Sequence, residues 1–426
     1  MRFDTLAEWL VWQEGLHPKA IDLGLARVRQ VYRELLPAPR LPLTLTVGGT
    51  NGKGSCVALL DSMLRAQGYR VGAYTSPHLL RYNERIRIGG EALDDAALCD
   101  AFERIDRVRG NITLSYFEFG TLAALDLFSR SSLDVQILEV GLGGRLDAVN
   151  LLDADAALVA SIDIDHQDWL GSTRAQIALE KAGIFRPGRP AVVGDPSPPQ
   201  CLLEHAREAG LQLSRQGCEF GFRREADGWD WSGAGESLAA LPLPALRGEH
   251  QLLNAAAVIQ LLRLVQERLP VGAAAIRQGL QTVRLAGRLQ LVEDGPVPVL
   301  LDVAHNPQSV QALAEQLRHE YPGRPIHAVF AVMKDKDIAG VVAPIRDLVS
   351  RWYLAPLDLA RAASTERLQV LFRELAVARV ESGFGDAAAA FAAARGSAQN
   401  GDLIVVFGSF FLVSEFLAQH AAHGPR

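Results

Sequence analysis

The sequence has few cysteines, and those it has are not clustered. Cys56, Cys99, Cys201 and Cys218 form no C-x-x-C pair in a chain of 426 residues. A zinc knuckle or a disulfide framework requires cysteines at characteristic spacings. Neither kind of site is therefore predicted.

An excess of positive charge is also missing, since the net charge is −6. Proteins that bind nucleic acid or anionic membranes carry a basic surface, so we expect neither as a partner. The longest apolar runs, such as the one at 403–413, are too short to span a membrane. The first residues include an early acid and no long apolar segment, so no signal peptide is indicated and we expect a cytoplasmic protein.

Apolar runs alternate with helical patterns along most of the chain. Continuous apolar runs are typical of parallel strands covered on both faces, and the alternation predicts the α/β class. A chain of this length favours two domains. We predict an amino-terminal domain at 1–285 with a mostly parallel sheet, and a smaller Rossmann-like α/β domain at 286–426. The predicted strands lie at 41–47, 69–75, 133–141, 154–162, 189–195, 297–307, 325–333, 351–357 and 402–408.

The stretch TVGGTNGKGSC at 46–56 lies between a predicted strand and a predicted helix. It differs from the P-loop pattern G-x-x-x-x-G-K-[ST], because Val47 replaces the first glycine and the hydroxyl comes late, at Ser55. Strand, glycine loop and helix in this order form an anion site, since backbone N–H groups and the helix dipole point at a phosphate. A glycine-rich turn with an incidental Lys53 is the alternative, and we favour phosphate binding.

Polar side chains follow several of the predicted strands. Glu139 closes an apolar run, where a carboxylate is costly to bury unless it is paired or bound to a cation. Asp165 and His166 follow a second run, and Ser76 follows a third. Oxygen ligands would select Mg²⁺, for which histidine is an uncommon ligand. Taken alone, His166 is a structural histidine and Ser76 a turn residue.

Two further segments also leave alternatives open. Lys181, in the helical segment IALEKAGIF, is a surface lysine when considered alone. Asp302, His305 and Asn306 follow the first strand of the second α/β series. A carboxylate there could accept hydrogen bonds from a ribose. An Asx turn that caps the helix after Pro307 is equally consistent with the sequence.

Several of these stretches occur together, and in the same order, in one family. The chain resembles the folylpolyglutamate synthases, which are Mur-ligase-like ATP-dependent amide ligases. Two segments, at 21–28 and 114–125, resemble the pterin-site segments of the bifunctional branch that also acts as dihydrofolate synthase. The other stretches that carry the resemblance are GTNGKGS (49–55), YTSPHL (74–79), ILEVGLGGRLDAVN (137–150), DHQDWLG (165–171), EKAGIFRPG (180–188), HQLLNA (250–255), GRLQ (287–290) and DVAHNP (302–307).

The resemblance implies three groups of site residues. The ATP site would contain Thr50, Asn51, Gly52, Lys53, Gly54, Ser55, Asn254, Arg288, Asp302 and His305. The Mg²⁺ ligands would be Ser76, Glu139, His166 and Lys181, the last as a carbamate. The dihydropteroate pocket would be lined by Asp22, Leu23, Gly24, Ser115, Tyr116, Phe117, Glu118 and Asp147. Among all of these, the implied catalytic residues are Lys53, Lys181, His166 and Arg288.

The implied activity is ATP-dependent ligation of L-glutamate through an acyl phosphate. The acceptors would be 7,8-dihydropteroate, giving dihydrofolate, and reduced folates, giving folylpolyglutamates. ATP and Mg²⁺ would be required, and a monomer is expected. The alternatives are a synthase that only extends folates, a Mur-type cell-wall precursor ligase, and a P-loop kinase or NTPase. The chain differs from the family at three positions: Ala286 stands where the family often has Pro, Val303 where it often has Gly, and Phe411 where it often has His or Tyr. None of these differences removes a proposed ligand.

Overall fold

The computed structural model describes residues 2–293 and 295–423, which form two compact units. The first unit contains the chain up to 245 together with 251–284, and the second contains 246–250 and the chain from 285 onward. No helix in the described ranges is long and apolar enough to cross a membrane.

The first unit is built on an eight-stranded sheet in the order β4-β3-β2-β5-β1-β6-β7-β8. Its strands are β1 Leu43–Gly48, β2 Val71–Tyr74, β3 Ile86–Ile88, β4 Glu91–Ala92, β5 Val135–Glu139, β6 Ala156–Val159, β7 Ala191–Val193 and β8 Leu213–Arg215. All pairs are parallel except those of β3 with β2 and β4, at one edge. The mostly parallel sheet predicted from the apolar runs is confirmed.

A small antiparallel sheet follows in the same unit, in the order β11-β10-β9. Its strands are β9 Phe220–Arg224, β10 Trp229–Gly233 and β11 Glu236–Leu241. The helices of the unit are α1 Leu6–Leu16, α2 Ala26–Leu35, α3 Lys53–Ala66, α4 Asp95–Arg109, α5 Tyr116–Arg130, α6 Gln167–Leu170, α7 Arg174–Ala182, α8 Gln200–Glu208, α9 His250–Leu264 and α10 Ala273–Thr282. Short 3-10 helices occupy Tyr82–Arg85 and Ala148–Leu151.

The second unit has a six-stranded sheet in the order β12-β13-β17-β14-β15-β16. Every pair is parallel except β12 with β13. The strands are β12 Gln290–Val292, β13 Val299–Leu301, β14 Ile326–Phe330, β15 Val349–Leu354, β16 Val380–Glu381 and β17 Leu403–Phe407. The helices are α11 Pro307–Glu320, α12 Ile338–Val342, α13 Thr365–Glu374, α14 Ala387–Ser397 and α15 Phe410–His423.

The central strands of the first unit bring polar groups to one edge of its sheet. Val47 of β1 lies beside Glu139 of β5 and Leu158 of β6 in the parallel register. The three strands therefore end together. In open α/β sheets, ligands bind beyond the carboxyl ends of the strands. The glycine loop and Glu139 both lie at this edge.

Candidate active site

The glycine loop is held by the segment that follows β6. Thr50 N donates to Ser161 O at 2.8 Å, and Thr50 Oγ1 donates to Asp163 O at 2.9 Å. Asn51 N donates to Ser161 Oγ at 2.9 Å. Helix α3 then begins directly after Gly52, without a side-chain cap. An N-terminus of this kind, with the helix dipole behind it, is suited to bind a phosphate.

Helix α9 packs against this loop through Asn254. A Cβ atom on Gly52 would lie 2.6 Å from Asn254 Oδ1. Asn254 Nδ2 donates to Gln251 Oε1 at 3.0 Å, and Gln251 Nε2 donates to Ser55 Oγ at 3.3 Å. All three polar side chains are buried. The sequence did not single out Gln251, although its spacing of three residues from Asn254 on one helix face was an available signal.

Replacing Gly52 with alanine is expected to disturb both the fold and the loop. Gly52 has φ +82° and Gly68 has φ +98°, a backbone region where a Cβ costs about 1–2 kcal/mol. A Cβ on Gly68 would meet nothing within 4 Å, so Gly68→Ala is the matched control. We expect urea unfolding to show a larger stability loss for Gly52→Ala, with weaker nucleotide binding in that variant alone. Equal effects of the two substitutions would contradict close packing of the loop against Asn254.

Two lysines lie close to the glycine loop. Lys53 Nζ donates to Gly49 O and to Thr50 O, both at 3.0 Å. Lys181 is only 3% exposed, so the surface-lysine interpretation is wrong. Burial lowers the pKa of Lys181 to about 7; the charge of Lys53 acts in the same direction, and Asp165 opposes it. A large part of the Lys181 amine is therefore uncharged at neutral pH.

A cleft at the carboxyl edge of the sheet brings together several of the implied residues. It is lined by Gly49, Thr50, Lys53, Val140, Gly141, Leu142, Gly143, Asp165, His166, Leu170 and Lys181. His166 is exposed rather than packed in the core, and its backbone N–H donates to Asp165 Oδ1 at 2.8 Å. Its φ of +52° is unusual for a residue with a side chain, and such strain is frequent at functional sites.

The implied metal ligands Ser76 and Glu139 adjoin one another. Ser76 N donates to Glu139 Oε2 at 3.2 Å, and the Glu139 side chain is buried at the end of β5. Over residues 2–293 and 295–423, no three His, Cys, Asp or Glu side chains form a group that could hold a metal ion. A metal site here would therefore need Ser76 and a modified Lys181 besides Glu139 and His166.

The implied pterin segments meet beside this cleft. Gly24 N donates to Leu146 O at 3.2 Å, which places the segment that contains Asp22 and Leu23 next to Asp147. The Phe117 ring lies against the cleft wall, since a Cβ on Gly141 would be 2.6 Å from Phe117 Cζ.

Tyr116 and Ser115 occupy the start of α5. The guanidinium carbon of Arg85 lies 5.4 Å from the centroid of the half-buried Tyr116 ring. Ser115 caps the helix in a capping box with Glu118, whose Oε2 accepts from Ser115 N at 2.8 Å. The capping box satisfies two backbone N–H groups at the start of α5.

Asp147 is a buried carboxyl group in the same region. Its Oδ2 accepts from Leu142 N at 2.8 Å and its Oδ1 accepts from Val149 N at 3.0 Å. Burial raises the pKa of Asp147 to about 7, although these N–H groups and the charge of Lys53 favour the carboxylate. Asp147 therefore exists in both protonation states near neutral pH, and can accept or donate a hydrogen bond.

In the second unit, three implied ATP-site residues gather around Phe410 and β13. The Arg288 guanidinium carbon lies 5.1 Å from the centroid of the Phe410 ring, and the His305 ring lies 5.9 Å from it. Asp302 accepts from Leu289 N at 2.9 Å and from Ala304 N at 2.7 Å. Burial raises the pKa of Asp302, and the nearby charge of Arg288 opposes this.

The segment after β13 also forms the helix cap that the sequence offered as an alternative to ribose binding. Asn306 caps α11, and its Oδ1 accepts from Ser309 N at 3.0 Å. The Asx-type cap and the carboxylate of Asp302 therefore coexist on neighbouring residues. The cap accounts for Asn306, and the hydrogen bonds from Leu289 N and Ala304 N give Asp302 a structural role as well.

Comparison with known proteins identifies the family. Residues 287–410 match the family described as Mur ligase, glutamate ligase domain. The chain is 43% identical over 414 residues to the dihydrofolate synthase/folylpolyglutamate synthase of Escherichia coli (strain K12), a match that covers 97% of this chain and 94% of that protein. The chain belongs to the dihydrofolate synthase/folylpolyglutamate synthase family.

Solved structures of dihydrofolate synthase/folylpolyglutamate synthases have the same fold. E. coli FolC in complex with DHPP and ADP superposes with a TM-score of 0.93 at 43% identity, covering 98% of both chains. A bifunctional folylpolyglutamate synthase/dihydrofolate synthase with Mn, AMPPNP and L-glutamate bound gives a TM-score of 0.90 at 44% identity, again over 98% of both chains. The predicted family and the predicted α/β class are confirmed.

Proposed function

We propose that this chain ligates L-glutamate to 7,8-dihydropteroate and to reduced folates, at the expense of ATP. The observation that carries the proposal is the cleft in which the glycine loop, Lys53 and the buried Lys181 lie beside the Asp147 segment. Membership of the dihydrofolate synthase/folylpolyglutamate synthase family supports the same reaction.

The first step transfers the γ-phosphoryl group of ATP to the acceptor carboxylate, giving an acyl phosphate and ADP. The protein's contribution to phosphoryl transfer is alignment and charge neutralisation. We assign the phosphates to Thr50–Ser55, with Lys53 as the neutralising charge. Asn254 is proposed as a further nucleotide-binding residue of the first unit, and Arg288, Asp302 and His305 as nucleotide-binding residues of the second unit.

The donor set fits a magnesium ion. Ser76 and Glu139 supply hard oxygen atoms, and a carbamate on Lys181 would supply two more in place of a cation. His166 is proposed as the remaining protein ligand. When bound, Mg²⁺ would neutralise negative charge on the nucleotide phosphates.

In the second step the α-amine of L-glutamate attacks the acyl phosphate. The new C–N bond forms, phosphate leaves with the C–O bond electrons, and the amine loses a proton. Both acceptors need the same chemistry, so one catalytic centre can serve two pterin positions. We propose that residues 1–285 bind ATP and the pterin, and that 286–426 form the glutamate ligase domain, which the match at 287–410 supports.

Phosphate release measured with different acceptors tests the proposal. Dihydropteroate, tetrahydrofolate and a cell-wall precursor nucleotide would each be supplied with ATP and L-glutamate. We expect release with the first two and none with the third, and no release when glutamate is omitted. Release without any acceptor would instead indicate an NTPase. Turnover with tetrahydrofolate alone would reduce the function to folylpolyglutamate synthesis.

Tyr116→Ala and Phe117→Ala are expected to impair dihydropteroate ligation more than folate extension. Both acceptors must present a carboxylate to the γ-phosphate of ATP. Because dihydropteroate lacks the first glutamate, its pterin must lie at a different position from the pterin of a longer acceptor. An aromatic contact worth about 1 kcal/mol is then lost for the short acceptor alone, which predicts a several-fold difference. The measurement is kcat/KM for both acceptors in each variant. Equal losses would indicate a single shared pterin pocket.

We also propose that the enzyme acts in the cytoplasm as a monomer. All four cysteines are unpaired, which suits a reducing compartment. Sedimentation of the purified chain, with and without ATP, tests the monomeric state. A dimer mass under both conditions would contradict it.

A further inference from the structure

Asp22 and Glu118, both proposed for the pterin pocket, are joined by one guanidinium group. Arg27, in the first turn of α2, donates from Nη1 to Asp22 Oδ2 and from Nη2 to Glu118 Oε1 at 3.1 Å. Nη2 also donates to the backbone oxygen of Asp22 at 3.0 Å. A planar guanidinium can fix two carboxylates relative to one another, whereas an ammonium group acts as a point charge.

Both carboxylate oxygens of Glu118 already accept hydrogen bonds. Oε1 accepts from Arg27 and Oε2 from Ser115 N at 2.8 Å. The Glu118 side chain is only 4% exposed, so its burial depends on these partners. Glu118 therefore serves as a fixed anchor for Arg27 at the start of α5.

Asp22 is held by close contacts on one carboxylate oxygen and by a single longer contact on the other. Oδ2 contacts Arg27 and, at 3.2 Å, His17 Nε2; His17 Nδ1 lies 2.8 Å from Thr113 Oγ1. Oδ1 contacts Lys19 Nζ at 3.4 Å, and the Lys19 side chain is 68% exposed. Partial burial opposes ionisation, but the charge of Arg27 and the hydrogen bond from His17 outweigh it and lower the pKa of Asp22. Asp22 is thus a carboxylate at neutral pH.

We propose that Arg27 is a positioning residue for acceptor recognition. It holds Asp22 so that Oδ1 accepts hydrogen bonds from the ring N–H and amino groups of a pterin-class bicyclic heterocycle. Arg27 itself does not touch the acceptor; it acts by bracing Asp22 against Glu118. The inference rests on the proposed function, since it assumes that this pocket receives the pterin of dihydropteroate.

Arg27→Gln tests this role. We expect the KM for dihydropteroate to rise about tenfold or more, while kcat and the KM for ATP change less than about twofold. The expected increase corresponds to roughly 1.4 kcal/mol of acceptor binding. Extension of tetrahydrofolate, whose pterin would lie elsewhere, should be affected less. A residue with a merely structural role would lower both activities together, without a selective effect on one KM.

Two variants serve as controls. Arg29→Gln removes an exposed charge from the same helix. It should retain the KM of the unmodified enzyme. Arg27→Lys keeps the charge but cannot bridge two carboxylates through a planar fork, so an intermediate KM is expected. A KM equal to that of the unmodified enzyme would mean that charge alone suffices, and would overturn the inference.

The inference and the proposed function fail in different ways. If the unmodified enzyme shows no dihydropteroate-dependent turnover, the proposed function is wrong. If it turns dihydropteroate over and Arg27→Gln changes no KM, or lowers both ligations equally, Arg27 has no positioning role. Should Arg27→Gln fail to fold, Arg27→Lys decides the question by the same KM comparison.

Discussion

Replacing Lys53 with alanine is expected to lower ligase turnover roughly a thousandfold while the protein remains folded. Lys53 is the first residue of α3, and its ammonium group lies at the glycine loop, where the γ-phosphate is proposed to bind. Charge that is neutralised in the transition state for phosphoryl transfer would then be left without a partner. The measurement is kcat for phosphate release with dihydropteroate and L-glutamate, with circular dichroism to check the fold.

Lys53 also has a structural contact, so the role in chemistry needs a separate readout. Its hydrogen bonds to Gly49 O and Thr50 O could hold the loop in shape. Loss of loop shape would weaken nucleotide binding as much as turnover, whereas loss of transition-state stabilisation lowers kcat further than binding. Arg65→Ala, which removes a charge from the last turn of the same helix, should leave kcat unchanged. A folded Lys53→Ala enzyme with near-normal kcat would refute the phosphate-loop assignment.

The elements that are long and strongly patterned could be predicted from the sequence. The apolar runs became the parallel strands, and the strand–glycine loop–helix order located the loop at 49–52 between β1 and α3. Strands β3 and β4, of three and two residues, carry no pattern long enough to be recognised. β3 adds to the sheet because β2 offers it an edge, and β4 in turn pairs with β3, which is a tertiary effect.

The burial of Lys181 shows how a residue can be misjudged in isolation. Ile177, Ala178, Lys181 and Ala182 are all buried on one face of α7. Their spacing is that of the apolar stripe of a helix, so the pattern did place Lys181 toward the core. Because lysine is charged, Lys181 considered alone was predicted to lie at the surface. Close packing at Gly183, where a Cβ would lie 2.4 Å from Arg145 Cβ, brings this helix end against the segment before Asp147.

The sequence did not predict which residues link the distant segments of the proposed pocket. Arg27 and Glu118 are 91 residues apart, and neither α2 nor α5 has a local pattern that points to the other. The resemblance marked Asp22 and Glu118 as pocket residues. The guanidinium group of Arg27 links them because α2 packs close to the start of α5.

Lys181→Ala is expected to lower turnover by roughly two orders of magnitude or more. The pKa of about 7 leaves much of the Lys181 amine neutral at physiological pH, and a neutral amine can attack CO₂. The N–C bond forms and one proton is released, which gives a carbamate anion. Its oxygens would complete the proposed ligand set with Ser76, Glu139 and His166. Removing them would forfeit several kcal/mol of metal-assisted charge stabilisation.

Labelling with ¹³C-bicarbonate separates the carbamate from other roles of Lys181. The unmodified enzyme should show a carbamate carbon resonance that Lys181→Ala lacks, and Lys334→Ala, which alters an exposed lysine, should keep both the resonance and the activity. A short carboxylic acid added to Lys181→Ala should restore part of the turnover, since it can supply the missing oxygens. Below about pH 6 the amine is largely protonated, so carbamate formation should slow and the resonance should weaken. Unchanged turnover of the Lys181→Ala enzyme would show that Lys181 is not part of the catalytic site. Full activity of the unmodified enzyme without any carbamate resonance would show that the reaction does not require a carbamate on Lys181.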